Sequence, residues 1–156
     1  MKKHEEAHFQ EISGDLLRDI RVLRMNQYIQ HGSTTTYAHV LRVARTAYRL
    51  NHLLRVKADD RSLVRASILH DYYLYDWHKH HDRLHGYHHA RIAADNARRD
   101  FSISPEEEAM IRSHMWPLNL FSPPLSRGGW LLTIADKIAS TQETIMDRLR
   151  PSSNPV

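Results

Sequence analysis

No stretch of this 156-residue sequence alternates apolar and polar residues, with β-branched side chains, for long enough to make a sheet. Apolar residues recur instead at three- and four-residue spacing, the repeat of one helix face. Leu16, Ile20 and Leu23 predict a helix over 15–30, ended by His31-Gly32. After a Ser33-Thr34 cap, Val40, Val43, Ala44, Ala47, Leu50 and Leu54 mark the buried stripe of a second helix over 35–54. Asp59 or Asp60 caps a third, in which Leu63, Ala66 and Ser67 lead to His70. A fourth starts near Tyr87 with His89, Ile92, Ala93, Asn96 and Ala97 on one face. Ser104-Pro105-Glu106-Glu107 is a strong start signal for a fifth: an N-cap, Pro in the first turn and Glu three residues after Ser. Glu107, Met110, Ile111 and His114 share its inward face, and Trp116-Pro117 stops it. A last helix runs over 130–149 with Leu131, Ile134 and Ile138 inward. The expectation is an all-α domain over 1–150, a bundle of about six helices, with 151–156 a frayed tail.

Composition narrows the chemistry. There are 13 His and no Cys. Disulfides, thiolate zinc sites, Fe–S clusters and Cys nucleophiles are excluded. No apolar run approaches the ~18 residues of a membrane span, and MKKHEEAHFQ lacks the apolar stretch of a secretory signal, so a cytoplasmic protein is expected. The formal charge is +4, with arginines at helical spacing (Arg42, Arg45, Arg49) rather than clustered with a reading element. That argues against nucleic acid as the partner and suits a small anionic substrate.

Seven of the histidines fall between 70 and 89, a clustering that surface residues, a pH-sensitive patch or metal ligands would all explain. Position discriminates better. His39, His89 and His114 lie on inward stripes, His70 ends another with Asp71 beside it, and Asp136 sits inside the apolar run LLTIADKIAS. Singly, each reads as a hydrogen-bonded core residue. A buried carboxylate is costly without a compensating cation, and five or six such residues on different helices are satisfied together by a metal at the bundle centre. Imidazole and carboxylate donors without thiolate suit Fe, Mn, Co, Ni or Zn. Adjacent residues on a helix point about 100° apart. His70 and Asp71 therefore share one metal only where the helix end distorts; alternatively, Asp71 bridges two.

The ordered set His39, His70-Asp71, His89, His114 and Asp136-Lys137 resembles the HD-domain superfamily of metal-dependent phosphohydrolases. The phrases ILHDYYLYDWH, LHGYHHARIAADNA, HMWPL and ADKIAS are similar to small stand-alone bacterial HD-domain proteins regarded as hydrolases. The resemblance implies that His39, His70, Asp71 and Asp136 bind a first metal and that Asp71 bridges to a second held by His89 and His114. His85, one turn before His89, is the alternative ligand, and His88 points off that face. The resemblance also implies a cation that steadies substrate phosphate, with Lys137, Lys79 and Arg42 as candidates beside His31; Lys137 could also assist the leaving oxygen. It does not extend to the cyclic-dinucleotide phosphodiesterases, whose Gly-Lys after the His-Asp pair and Gly-Tyr-Pro signature are missing. The expected activity is hydrolysis of a phosphomonoester or phosphodiester of a nucleotide or other small phosphorylated molecule. A di-iron oxygenase of the same ligand type and a non-catalytic metal- or nucleotide-binding module are the alternatives, and an oligomer is compatible with either. Tyr72, Tyr73, Tyr75 and Trp77 would stack a nucleobase or pack a helix end. Trp116-Pro117 and Phe121-Ser122-Pro123-Pro124 would form a lid or close the core. Asp76 would support His70 or cap a helix.

Overall fold

A computed structural model describes residues 1–72 and 85–149, without the side chains of His31 and residues 85–87. Helices dominate: α1 (Lys3–Arg18), α2 (Ile20–Leu23), a 3₁₀ turn (Arg24–Gln27), α3 (Thr36–Leu53), α4 (Asp60–Leu69), α5 (His85–Phe101), α6 (Pro105–Ser113) and α7 (Arg127–Leu149). The all-α expectation holds, with one small exception. Strands β1 (Ile29–His31) and β2 (Thr34–Thr35) pair antiparallel as a short hairpin.

The first forty residues depart most from the expected pattern. The helix predicted over 15–30 is already ending at Arg18. Asp19 stops it by turning outward and accepting the Arg21 backbone N–H at 2.8 Å, so that it caps α2 instead. Ile20 and Leu23 consequently face solvent, and only Leu16 of the expected stripe is buried. Gly32 does not end a helix; at φ 54° it makes the hairpin turn, a conformation glycine adopts without a Cβ clash. The start is exposed but helical from Lys3, and α1 buries Phe9, Ser13 and Leu16.

Elsewhere the caps lie close to where the sequence puts them. Thr35 accepts from Ala38 N, Asp59 from Ser62 N, and Ser104 and Glu107 form a reciprocal capping box at 3.1 and 2.7 Å. Leu54 lies beyond the end of α3 and is exposed, because the chain reverses at Arg55 (φ 52°). Ile134 is exposed too. The inward face of α7 follows Leu131, Leu132, Ala135, Asp136, Ala139 and Glu143, leaving Ile134 on the opposite side.

Helix α3 packs most extensively against α4 and α7. The core between the helices is rich in small side chains: Ala44 and Ala47 on α3, Ala66 on α4, Ala93, Ala94 and Ala97 on α5, Ala135 and Ala139 on α7. Small residues let helix axes approach, and the close approach matters for the polar residues they flank. At Gly128 a Cβ would stand 2.7 Å from the Met110 methyl, so a larger residue there would have to move the end of that side chain. Tyr72 is buried, donates to Asp100 at 2.9 Å and meets Phe101 edge-on, so it packs a helix end rather than stacking a base. Phe121 is 99% exposed and so does not fold over the core. Trp116 instead packs edge-on against Trp130. Among the described residues no helix is long and apolar enough to cross a membrane. The expected tail over 151–156 lies outside the described residues.

Candidate metal centre

Five helices deliver buried polar side chains to one place. His39 comes from the first turn of α3, His89 from α5 and Asp136 from the third turn of α7. His70 and His114 are the C-cap residues of α4 and α6. His39 and His70 are fully buried, and Asp71, His89, His114 and Asp136 are nearly so.

The helix ends resolve the His70-Asp71 geometry. Helix α4 stops at Leu69, and with the helix over, both residues turn toward the centre. Asp71 then divides its oxygens between two groups. Its Oδ2 lies 3.3 Å from His70 Nε2 and 3.6 Å from His39 Nε2. Its Oδ1 lies 3.4 Å from His89 Nε2 and 3.7 Å from His114 Nε2. Asp136 Oδ1 closes the first group, 3.3 Å from His39 Nε2 and 3.8 Å from His70 Nε2. Donor atoms of His39, His70 and Asp136 all lie within 4.8 Å of one another, as do those of His70, Asp71 and His114. Either set could hold a metal ion.

The outer faces of the rings are fixed. His70 Nδ1 donates to the Ser67 carbonyl at 2.8 Å, and His114 Nδ1 to the Ile111 carbonyl at 2.7 Å. Both acceptors are last-turn carbonyls, three residues back, and the Ile111 oxygen also accepts the His114 backbone N–H at 3.4 Å. His39 Nδ1 instead meets the Glu143 carboxylate at 2.9 Å. With a proton held on Nδ1, each ring turns its Nε2 inward, the nitrogen left to bind a cation.

Three observations fit a cation at this point. Among the described residues His70 Nε2 and Asp71 Oδ1 have no hydrogen-bond partner though both are buried, which is costly unless something else satisfies them. His89 Nε2 stands 3.0 Å from His114 Nε2 although His114 already spends its Nδ1 proton on a carbonyl. The donor set, imidazole and carboxylate without thiolate, is one that divalent transition metals accept.

The charges are strongly coupled. Burial pushes the Asp71 carboxyl up, but His70, His89 and His114 outweigh it and hold the group well below its ordinary value. Asp136 is likewise lowered: burial opposes, and the His39 hydrogen bond with the His70 charge prevails. Burial would depress His39, yet its hydrogen bonds to Asp136 and Glu143 and the Asp71 charge raise it to about 10. His114 goes the other way, down to about 3, through burial and the neighbouring His70 and His89.

Two residues at the centre have no counterpart in the sequence reading. Gln30 Nε2 donates to Asp71 Oδ2 at 2.6 Å from β1, in a segment expected to be helical, where spacing pointed nowhere. Glu143 is fully buried at its side chain and binds Arg42 Nη1 at 2.6 Å as well as His39. It had a signal: it stands two helical turns after Asp136, on the same face. Arg42, expected at the substrate, therefore has a guanidinium nitrogen committed to Glu143. Lys137 is about half exposed, with Nζ 3.3 Å from the His114 carbonyl and 3.8 Å from Asp136 Oδ2. His88 is exposed, as its position off the stripe implied. Lys79, Asp76, Tyr73, Tyr75 and Trp77 lie outside the described residues, as do the side chains of His85 and His31.

No curated protein and no solved structure matches the chain. A family model does: the HD domain matches residues 36–141, a span that takes in His39, His70, Asp71, His89, His114 and Asp136. With most of its length matched and the His and Asp residues converging as described, this chain belongs to the HD-domain family.

Proposed function

We propose that this protein is a metal-dependent phosphohydrolase acting on a phosphomonoester or phosphodiester of a nucleotide or another small phosphorylated molecule. The observation that carries the reading is the division of Asp71, with Oδ2 toward His39 and His70 and Oδ1 toward His89 and His114. In this reading His39, His70, Asp71 and Asp136 hold one divalent ion (Fe, Mn, Co, Ni or Zn), and Asp71, His89 and His114 hold a second. Such ions supply a Lewis acid for phosphoryl oxygens and a water acidic enough to be a nucleophile near neutral pH.

The protein's own groups do the rest. Asp71 touches both ligand groups, so it sets the direction from which a nucleophile approaches. Gln30, donating to Asp71 Oδ2, stops that carboxylate from rotating. Carbonyl-bound Nδ1 protons keep the His70 and His114 rings from flipping. The half-exposed Lys137 ammonium is placed to steady a phosphate oxygen or give a proton to the leaving oxygen. His31 and Lys79 are proposed as further phosphate contacts.

The test combines metal analysis of the purified protein with a panel of phosphomonoesters and phosphodiesters. Metal-dependent hydrolysis that His70→Ala and Asp71→Ala abolish supports the reading. A protein that binds no metal, or that consumes O₂ with bound iron and hydrolyses nothing, refutes it.

A further inference from the structure

Among the three histidines of the centre whose Nδ1 partner is defined, His39 stands apart. His70 and His114 are backed by neutral backbone carbonyls. His39 is backed by a carboxylate, Glu143 Oε2, at 2.9 Å, and both side chains are fully buried. A carboxylate only accepts hydrogen bonds, so this contact holds a proton on Nδ1 and leaves Nε2, toward the centre, as the nitrogen that gives up its proton to a cation. It also puts a full negative charge behind the ring, which strengthens Nε2 as a donor to a cation.

The arrangement spans two helices. Arg42 follows His39 by three residues on α3, so both face α7. There Glu143 gives one oxygen to each, Oε2 to His39 and Oε1 to Arg42 at 2.6 Å. Asp136, two turns earlier on α7, meets the other nitrogen of the same ring, with 3.3 Å between Oδ1 and Nε2. The His39 imidazole is thus held between two carboxylates of one helix. Arg42, only partly buried, supplies the compensating charge that a buried carboxylate requires. Glu143 lies just beyond the residues that the HD domain matches.

Building on the metal-binding reading above, we propose that Glu143 is a positioning residue for His39. It fixes the ring's tautomer, strengthens its hold on metal and makes the group of His39, His70 and Asp136 the tighter half of the centre, which fills first. Arg42 serves in this assembly through Glu143.

Zn²⁺ titration of the metal-free, full-length protein tests the proposal, with Glu143→Ala, Glu143→Gln and Arg42→Met alongside the wild type. Glu143→Ala is expected to weaken the first binding step about 10- to 100-fold, the range found when a ligand's supporting partner is lost. Glu143→Gln keeps an oxygen that accepts from Nδ1 but loses the charge, so its loss is smaller. Arg42→Met also weakens the first step, and all variants leave the second unchanged. Histidine ¹⁵N spectra of the Zn²⁺-loaded protein are expected to show His39 protonated at Nδ1 and bound through Nε2. First-step affinity unchanged in both Glu143→Gln and Arg42→Met, or His39 bound through Nδ1, overturns the inference, and these two variants decide the matter even where Glu143→Ala does not fold. A wild type that binds no Zn²⁺, Mn²⁺ or Fe²⁺ instead sinks the metal reading itself, so the two failures are distinct.

Discussion

Asp71→Asn separates what the centre does for folding from what it does for metal. In the metal-free protein the carboxylate accepts from Gln30 Nε2 at 2.6 Å. A hydrogen bond to a charged group contributes about 1.5–3 kcal/mol and a neutral one about 1, so the exchange costs about 1 kcal/mol. The rest of the loss is softened because an Asn can turn its oxygen to Gln30 and its NH₂ to the inward-facing ring nitrogens of His89 and His114. The lost charge also unbalances the buried His39 and His70, so for a chain of this length the metal-free melting temperature falls by at least about 2–4 °C. With metal at 100 times its dissociation constant, the wild type gains about 2.7 kcal/mol, or roughly 5–11 °C. Losing a supporting residue already weakens a metal site up to about 100-fold, and a charged ligand shared by both ligand groups is worth no less. At the same metal concentration Asp71→Asn therefore gains only about 0.4 kcal/mol, a rise of ~1–2 °C. Melting curves followed by circular dichroism, in EDTA and in excess Mn²⁺ or Zn²⁺, give all four numbers. An Asp71→Asn protein that keeps the full metal-dependent rise would show that the reasoning about this carboxylate is wrong.

Metal uptake should release protons. His39, raised to about 10 without metal, is protonated at pH 7, and a cation on Nε2 displaces that proton. Affinity should accordingly climb about tenfold per pH unit for each proton displaced between pH 6 and 9, and calorimetry in buffers of different ionisation enthalpy should register the release; a flat profile contradicts it. Ser104→Ala removes the capping-box acceptor of the Glu107 N–H and should cost about 1 kcal/mol, a fall of about 2–4 °C in melting temperature, which an unaltered melt would exclude. Asp100 is held below its ordinary value by Arg99 first and by Tyr72. Its contribution is present above the unfolded carboxyl value near 4 and disappears as pH falls through the lower folded one. The stability gap between wild type and Asp100→Asn should therefore hold steady from neutral pH down to about 4 and narrow as the pH falls further in urea melts, and a gap independent of pH would rule this out.

Much of the centre is legible in the sequence because ligands on helices obey the same spacing as the core. His39 shares a stripe with Val40, Val43 and Ala47, and His114 with Met110 and Ile111, so periodicity alone turns each inward. The segment around Gln30 is different. Its fold depends on Asp19 turning its side chain onto the Arg21 N–H, a local competition that a hydrophobic repeat does not register. Glu143 was hidden for another reason. A lone Glu on a long helix ordinarily faces water, and only the arrival of Arg42 and His39 from α3 makes its burial affordable. The inward Ile134 failed because the α7 stripe is centred on small residues, Ala135 and Ala139, which a scan for large apolar side chains passes over.

Two of the histidines at the centre are the last residues of their helices, His70 after α4 and His114 after α6. The C-terminal end of a helix behaves as roughly half a negative charge. Two such ends add backbone negative potential to the Asp71 and Asp136 carboxylates, against the His39 proton and the Lys137 ammonium. A divalent cation is drawn to these carboxylates and helix ends, and by displacing the His39 proton it makes the centre one that receives a phosphate oxygen. The backbone thus favours an order of events that no single side chain encodes: the cation before the anion.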